Sequence, residues 1–278
     1  GSLIGDVYVK YSTDDGGSQW TNISTVTADE GDNYIWPVVP GIKNNLMRIS
    51  VTDKNDTNTT DMSSQFEIIG DVVVTTPNGG QNWPAGTVKE IKWDANAVSL
   101  VTISYNLTNG TSWTMIPGGD NLTAANESYN WTIPDNMTVT QAALIKIEDS
   151  ENSTLNDTSN ATFSIIPDIN VLHPETQSDV LIAEEGYEIS WSAKGDMENV
   201  TLEYSTDTGG NWSYVNPAMH DVPNTGTYDW ASVNGTALSK NCLIKVSYPA
   251  NTSFNNTSNA TFPIRGELTL TRPVEADE

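Results

Sequence analysis

Asparagines that are followed two positions later by serine or threonine are the residues of this chain whose spacing points most directly to chemistry. The triplet Asn-x-Ser/Thr, with x other than proline, accepts N-linked glycans in secreted proteins. Random placement of the asparagine, serine and threonine content predicts about six such triplets, and the sequence has 19. The predicted N-glycosylation sites are Asn22, Asn55, Asn58, Asn106, Asn109, Asn121, Asn126, Asn130, Asn136, Asn152, Asn156, Asn160, Asn199, Asn211, Asn234, Asn251, Asn255, Asn256 and Asn259.

Turn chemistry and salt adaptation could also produce such an excess of triplets. Asparagine, serine and threonine all favour turns, so a loop-rich chain gains some triplets without glycans. An Asn/Thr-rich, acidic surface also suits a salty medium. Some triplets, however, lie at outward positions of expected strands, as Asn130 does between inward Tyr129 and Trp131. We interpret the excess as a coat of N-linked glycans, which predicts an extracellular or cell-surface location.

A hairpin sequence with the spacing Ser205-x-Asp207-x-Gly209-x-x-Trp212 raises the question of carbohydrate hydrolysis. It resembles the Asp-box turn of sialidase propellers, in which the turn lies away from the catalytic centre. A sialidase also needs a cluster of arginines to hold a carboxylate. The arginines of this chain are far apart in the repeat scheme: Arg48, Arg265 and Arg272. The sequence therefore predicts a structural hairpin and no enzyme activity.

The histidines, the cysteine and the acidic pairs form no recognisable catalytic pattern. His173 and His220 have neither metal-ligand nor triad spacing. Cys242 lies in phase with apolar residues, which predicts a buried thiol. Adjacent acids could mimic a glycosidase pair, but such pairs are expected by chance in a chain with 36 acidic residues. Examples are Asp14 with Asp15 and Asp29 with Glu30.

Two groups of carboxylates offer the oxygen ligands that calcium prefers. One group is Asp53, Asp56 and Asp61, and the other is Asp149, Glu151 and Asp157. Neither group follows a defined calcium-loop pattern. We therefore expect weak calcium binding or none, and no cofactor.

Composition limits the partners of the chain. Its 36 acidic and 12 basic residues give a net charge of −24, which repels nucleic acid and anionic membranes. The sequence has no run of 18 apolar residues, the length needed to span a membrane. Its single cysteine excludes an internal disulfide framework. We expect no nucleic-acid partner and no direct membrane insertion. Neighbouring copies, other envelope proteins or glycans remain as partners.

The elements that would position these residues repeat three times. A hairpin sequence begins at Val7, Val101 and Val200, and each copy is followed by a Tyr-x-Trp triplet. Apolar and polar residues alternate in these stretches, which indicates strands with one buried face. Asp-Gly, Asn-Gly and Gly-Gly turns separate the strands. The pattern predicts an all-β fold of tandem immunoglobulin/fibronectin-like β-sandwich repeats of about 95 residues.

Alignment of the repeats divides the chain into four parts. Residues 1–70 are predicted to form a partial sandwich repeat that lacks its opening strands. Residues 71–167 and 168–266 are predicted to be complete repeats, and residues 267–278 the opening strand of a further one. We therefore expect the chain to be part of a longer protein.

The second repeat carries a family resemblance. It reads Pro77-x-Gly79-Gly80-x-x-Trp83-x-x-Gly86 and later Tyr129-x-Trp131-x-Ile133-Pro134. This resembles the immunoglobulin-like repeat domain of Ser/Thr-rich, GPI-anchored and fungal cell-wall-synthesis surface proteins, which also occurs in prokaryotic secreted repeat proteins. The resemblance covers residues 71–166 and, less completely, 168–264. It implies a sandwich, a surface location and no known catalysis.

These observations favour a non-catalytic structural segment of a multi-repeat, N-glycosylated cell-surface protein: an S-layer, sheath, stalk or filament component. Two alternatives stay open. The repeats could be a carbohydrate- or receptor-binding module of an adhesin, with Trp83 and Tyr214 as the aromatic residues that the repeat pattern does not explain. The chain could also form filaments by strand donation, because GELTLTR at Gly266 resembles GDVVVTT at Gly70.

Overall fold

The structure, a computed structural model, describes residues 5–27, 33–37 and 41–269. Within this part the regular secondary structure is short strands and a single 3₁₀ turn. Strands bury alternate residues, as in the predicted period of two: the buried residues Val72 and Val74 alternate with exposed Asp71 and Val73. Three features of the sequence lie outside the described residues: the acidic pair Asp29 and Glu30, Arg272, and residues 270–278 of the predicted terminal strand.

The first segment (residues 6–68) is one sheet. Its strands are β1 (Asp6–Ser12), β2 (Trp20–Thr27), β3 (Asn44–Asp53), β4 (Thr60–Met62) and β5 (Phe66–Ile68). The order is β2-β1-β3-β4, with β5 also beside β3. Val7 and Val9 of β1 line an apolar cavity of about 740 Å³ on one face of this sheet. The described residues of the segment contribute no second sheet to cover that face.

The second module (residues 71–166) has two sheets. Its elements are β6 (Asp71–Thr76), β7 (Asn82–Pro84), β8 (Val88–Asn96), β9 (Leu100–Asn106), β10 (Thr114–Met115), β11 (Leu122–Thr123), a 3₁₀ turn (Ala124–Asn126), β12 (Ser128–Thr132), β13 (Thr140–Asp149), β14 (Asn152–Thr158) and β15 (Phe163–Ile166). One sheet has the order β12-β8-β6. The other has β10-β9-β13-β15-β7, with β11 beside β9 and β14 beside β13. All pairs are antiparallel except β7 with β15.

The third module (residues 168–265) repeats this topology. Its strands are β16 (Asp168–His173), β17 (Leu181–Ile182), β18 (Tyr187–Lys194), β19 (Asn199–Ser205), β20 (Ser213–Tyr214), β21 (Asp221–Pro223), β22 (Thr227–Trp230), β23 (Ser239–Tyr248), β24 (Asn251–Thr257) and β25 (Phe262–Arg265). The sheets are β16-β18-β22 and β17-β25-β23-β19-β20, and β17 is again parallel to its partner β25. The predicted tandem immunoglobulin/fibronectin-like β-sandwich fold is confirmed.

The core of the second module contains Trp83, one of the two aromatic residues that the repeat pattern does not explain and that a carbohydrate-binding module would need to expose. Trp83 is 6% exposed, so its ring is not available to a ligand at the surface. Its ring centroid lies 4.9 Å from that of Phe163 and 6.3 Å from that of Trp131. The physical reason is the parallel pairing of β7 with β15, which turns Trp83 inward beside Ile165.

Candidate functional site

The hairpin that begins at Ser205 is closed by its own side chains. Ser205 Oγ donates to Asp207 Oδ1 (2.7 Å) and accepts from the backbone N–H of Gly209 (2.8 Å). Asp207 Oδ1 also accepts from the backbone N–H of Asn211 (2.8 Å). A Cβ on Gly209, whose φ is 87°, would lie 3.3 Å from the ring of Trp212. The polar residues of the motif therefore serve the turn itself.

These hydrogen bonds lower the pKa of Asp207 from 3.8 to about 2. The backbone N–H of Asn211 makes the largest contribution, followed by the Asn211 side-chain amide and the Ser205 hydroxyl. The side-chain amide donates to Asp207 Oδ2 over 2.6 Å. A glycan on Asn211 replaces only one of the two amide hydrogens, so this hydrogen bond is compatible with modification.

The matching hairpin of the second module uses Asn106 where the third module uses Ser205. Asn106 Oδ1 accepts from the backbone N–H groups of Thr108 (2.8 Å) and Gly110 (3.2 Å). Its Nδ2 donates to the carbonyl of Ser112 (2.6 Å), and the residue is 2% exposed. Asn106 thus differs from the other predicted acceptors, because its side chain is an internal part of the fold.

The predicted glycan acceptors differ in exposure. Asn106 is buried, and three acceptors are half-buried: Asn152, Asn251 and Asn256. The other 15 are exposed: Asn22, Asn55, Asn58, Asn109, Asn121, Asn126, Asn130, Asn136, Asn156, Asn160, Asn199, Asn211, Asn234, Asn255 and Asn259. The surface of the folded chain therefore presents most of these asparagines to solvent.

Some sequons also close a turn. In four of them the asparagine Oδ1 accepts both the backbone N–H and the hydroxyl of the serine or threonine two positions later. These are Asn106, Asn152, Asn234 and Asn251. This is the Asx-turn arrangement. Turn formation is thus a sufficient reason for these four triplets.

The second and third modules meet through backbone hydrogen bonds. Pro167 alone separates β15 from β16. The N–H of Gly195 donates to the carbonyl of Asp135 (2.6 Å), and the N–H of Asp196 donates to the carbonyl of Met137 (2.9 Å). The turn after β18 is therefore fixed to the loop between β12 and β13 of the preceding module.

The junction between the first segment and the second module has an ion pair. Lys43 Nζ lies 2.9 Å from Asp149 Oδ2 and 3.9 Å from Glu151 Oε2. Burial raises the pKa of Asp149, but the Lys43 ammonium and the Glu151 N–H outweigh it, so the pKa is lowered overall. Asp157, the third residue of this proposed calcium group, instead accepts the backbone N–H of Val74 (2.8 Å).

The other carboxylate group is also engaged in local turns. Asp53 Oδ1 accepts from the backbone N–H of Asn55 (2.7 Å), and Asp56 Oδ1 accepts from that of Asn58 (3.1 Å). In the part of the chain that the structure describes, no three His, Cys, Asp or Glu side chains converge as a set of metal ligands.

The titratable residues considered for catalysis lie apart. His173 ends β16, whereas the ring of His220 stacks on Tyr214 with 3.9 Å between centroids. Cys242 is 0% exposed, and burial raises the pKa of its thiol. The predicted buried thiol is confirmed.

The described residues contain one short 3₁₀ turn and no apolar helix that is long enough to cross a bilayer.

Comparisons with known proteins give structural likeness only. No family model and no curated protein matches the chain, so the resemblance to Ser/Thr-rich, GPI-anchored surface proteins is not supported. Among solved structures the chain is similar to Clostridium thermocellum CbhA fibronectin(III)-like modules, with 12% identity, TM-score 0.26, and coverage of 72% of this chain and 99% of that chain. It is also similar to Drosophila OTK extracellular domains 3–5, with 10% identity, TM-score 0.32, and coverage of 95% and 87%. A third similar structure is that of chicken CNTN1 FN1–FN3 domains, with 12% identity, TM-score 0.25, and coverage of 95% of this chain and 88% of that chain.

Proposed function

We propose that this chain is a non-catalytic structural segment of a multi-repeat, N-glycosylated cell-surface protein, such as an S-layer, sheath, stalk or filament component. Its partners in this role are neighbouring copies or other envelope proteins. The observation that carries the proposal is the junction between the second and third modules. The connector between the two modules is one residue long, and two backbone hydrogen bonds join the modules beside it. Both features restrict bending between the modules, as a spacer requires.

Glycine at position 195 is required by this junction. A Cβ there would lie 2.8 Å from Val139 Cγ2 of the preceding module, and φ is 103°. Any other residue must therefore adopt a strained backbone and displace the Val139 side chain at the contact between the modules. The atom nearest to that Cβ belongs to the preceding module, which supports a role of this contact in holding the two modules together.

The exposed sequons support the second part of the proposal. Glycans on the outer faces of the sheets would block pairing between exposed strand edges of different molecules. Together with a net charge of −24, they would keep a long array soluble. Outside the cell such a coat also hinders proteases.

Small-angle X-ray scattering of the full chain tests the structural role. We expect a narrow distribution of interatomic distances for the wild type and a broader one for Gly195→Val. Gly80→Val is the matched control, because Gly80 also has a positive φ (76°) but a Cβ there would meet no atom within 4 Å. A wild-type distribution as broad as that of Gly195→Val would contradict a rigid spacer.

A further inference from the structure

The third module has an aromatic cleft that its role as a spacer does not use. The cleft has a volume of about 630 Å³ and lies beside the Ser205 hairpin. Its walls include four aromatic rings: Tyr204, Trp212, Tyr214 and Trp230. Tyr204 and Trp230 form the floor, because they are 8% and 5% exposed and pack on each other with 5.0 Å between centroids.

The two outer rings are held in place from outside the cleft. His220 stacks on Tyr214 with an interplanar angle of 8°, and Lys245 Nζ lies 4.2 Å from the centroid of Trp212. Lys245 is itself fixed by an ion pair with Glu203 (2.6 Å). Neither His220 nor Lys245 lines the cleft. His220 therefore supports the Tyr214 ring, and both Tyr214 and Trp212 also line the cleft.

The fold does not require an aromatic residue at Tyr214. In the second module the same register position is Met115, since Met115 pairs with Ser104 as Tyr214 pairs with Glu203. Both side chains are exposed, by 52% for Met115 and 38% for Tyr214. Because the second module folds with methionine there, Tyr214 is free to serve recognition.

We propose that this cleft binds a neutral saccharide. The apolar C–H face of a pyranose ring stacks on aromatic rings, while its hydroxyls need polar partners at the edge. Ser213 and Ser232 supply exposed hydroxyls at the cleft. The net charge of −24 disfavours acidic sugars. A shallow site with aromatic walls and hydroxyl edges fits a sugar better than a purely apolar ligand.

Two sources could supply such a sugar. One is a glycan on the module itself, because the predicted acceptors Asn211 and Asn234 lie at the cleft: Asn234 lines it, and Asn211 precedes Trp212. The other is a saccharide of a neighbouring molecule or surface. The ring-stacking chemistry is the same for both, so the experiment must separate them.

The primary test uses the unglycosylated chain, produced in a host without N-glycosylation, and follows tryptophan fluorescence. The probes are cellohexaose, chitohexaose and a linear mannohexaose, with 6′-sialyllactose as the acidic comparison. We expect at least one neutral hexasaccharide to shift the emission saturably and the sialyllactose to bind more weakly. Tyr214→Met should weaken binding about tenfold or more, whereas Met115→Ala should leave it unchanged. Circular dichroism checks that both variants fold.

No saturable shift with any neutral hexasaccharide, or equal affinity in wild type and Tyr214→Met, would overturn the proposal. The native glycosylated chain then separates the sources. If the native chain fails to bind a hexasaccharide that the unglycosylated chain binds, a glycan of the module itself occupies the cleft. If both forms bind it equally, the sugar comes from outside.

Discussion

The second and third modules share the same order of strands but place one aromatic side chain differently. In the second module Trp83 on β7 is buried beside Ile165, whereas in the third module Leu181 fills the matching register position. At the hairpin it is the third module that has the aromatic residue: the second module exposes Met115 and the third exposes Tyr214. A core position accepts different apolar residues for packing, while an exposed hairpin position is free to gain a binding role.

The residue whose side chain closes the hairpin turn also differs between the modules, although it makes the same kind of hydrogen bond. Asn106 in the second module and Ser205 in the third both accept backbone N–H groups from the following turn. The first segment uses Ser12 in the same way, accepting from Gly16 (3.1 Å). Different side chains therefore satisfy one backbone requirement, and the Asn-x-Thr triplet at Asn106 has a structural reason.

The largest effect should come from the core side of this comparison. Trp83→Ala should lower the free energy of unfolding of the second module by about 3–5 kcal/mol, because it leaves a cavity between Phe163 and Trp131. Tyr214→Ala should lower that of the third module by only about 1 kcal/mol, because its ring is outside the core and stacks on His220. Scanning calorimetry of the full chain measures both. Equal shifts for the two variants would show that the two aromatic residues do not differ in role.

A smaller effect is expected at the hairpin anchor. Asn106→Ala removes the partner of two backbone N–H groups and one carbonyl, which should cost about 1–3 kcal/mol. Asn106→Ser should recover much of this loss, since serine fills the matching position at Ser12 and Ser205. Chemical denaturation compares the two variants. A serine variant as unstable as the alanine variant would mean that the hairpins are not equivalent.

Much of the fold follows from the sequence, because its signals are local. Alternation around Val101 and Val200 and the turn glycines indicate strands directly, so the sandwich repeats could be predicted. The position of Trp83 could not, because its burial depends on the parallel pairing of β7 with β15 between residues far apart in sequence. The cleft could not be predicted for a similar reason: Tyr204 and Trp230 meet only across the two sheets of the third module. The sequence offers one signal for it, Tyr214, which departs from the repeat pattern.

The smallest expected effect is a change in the Ser205 hairpin, but not in the Asn106 hairpin, as the pH is lowered. The pKa of Asp207 is lowered from 3.8 to about 2, so its contribution to stability is complete above 3.8 and is lost as the pH falls through about 2. The amide proton of Asn211, measured by NMR, should therefore shift with a midpoint near pH 2. The amide of Gly110 should stay constant, because its acceptor Asn106 does not titrate. A midpoint near 3.8 for Asn211 would contradict the hydrogen-bonded turn.

Glycopeptide mapping of protein from its natural source tests whether the chain belongs to a glycosylated structural array. We expect glycans on many of the 15 exposed asparagines and none on Asn106, whose amide is buried within the hairpin. A protein that carries no glycan, or one that is modified at Asn106 as fully as at the exposed sites, would show that this assignment is wrong.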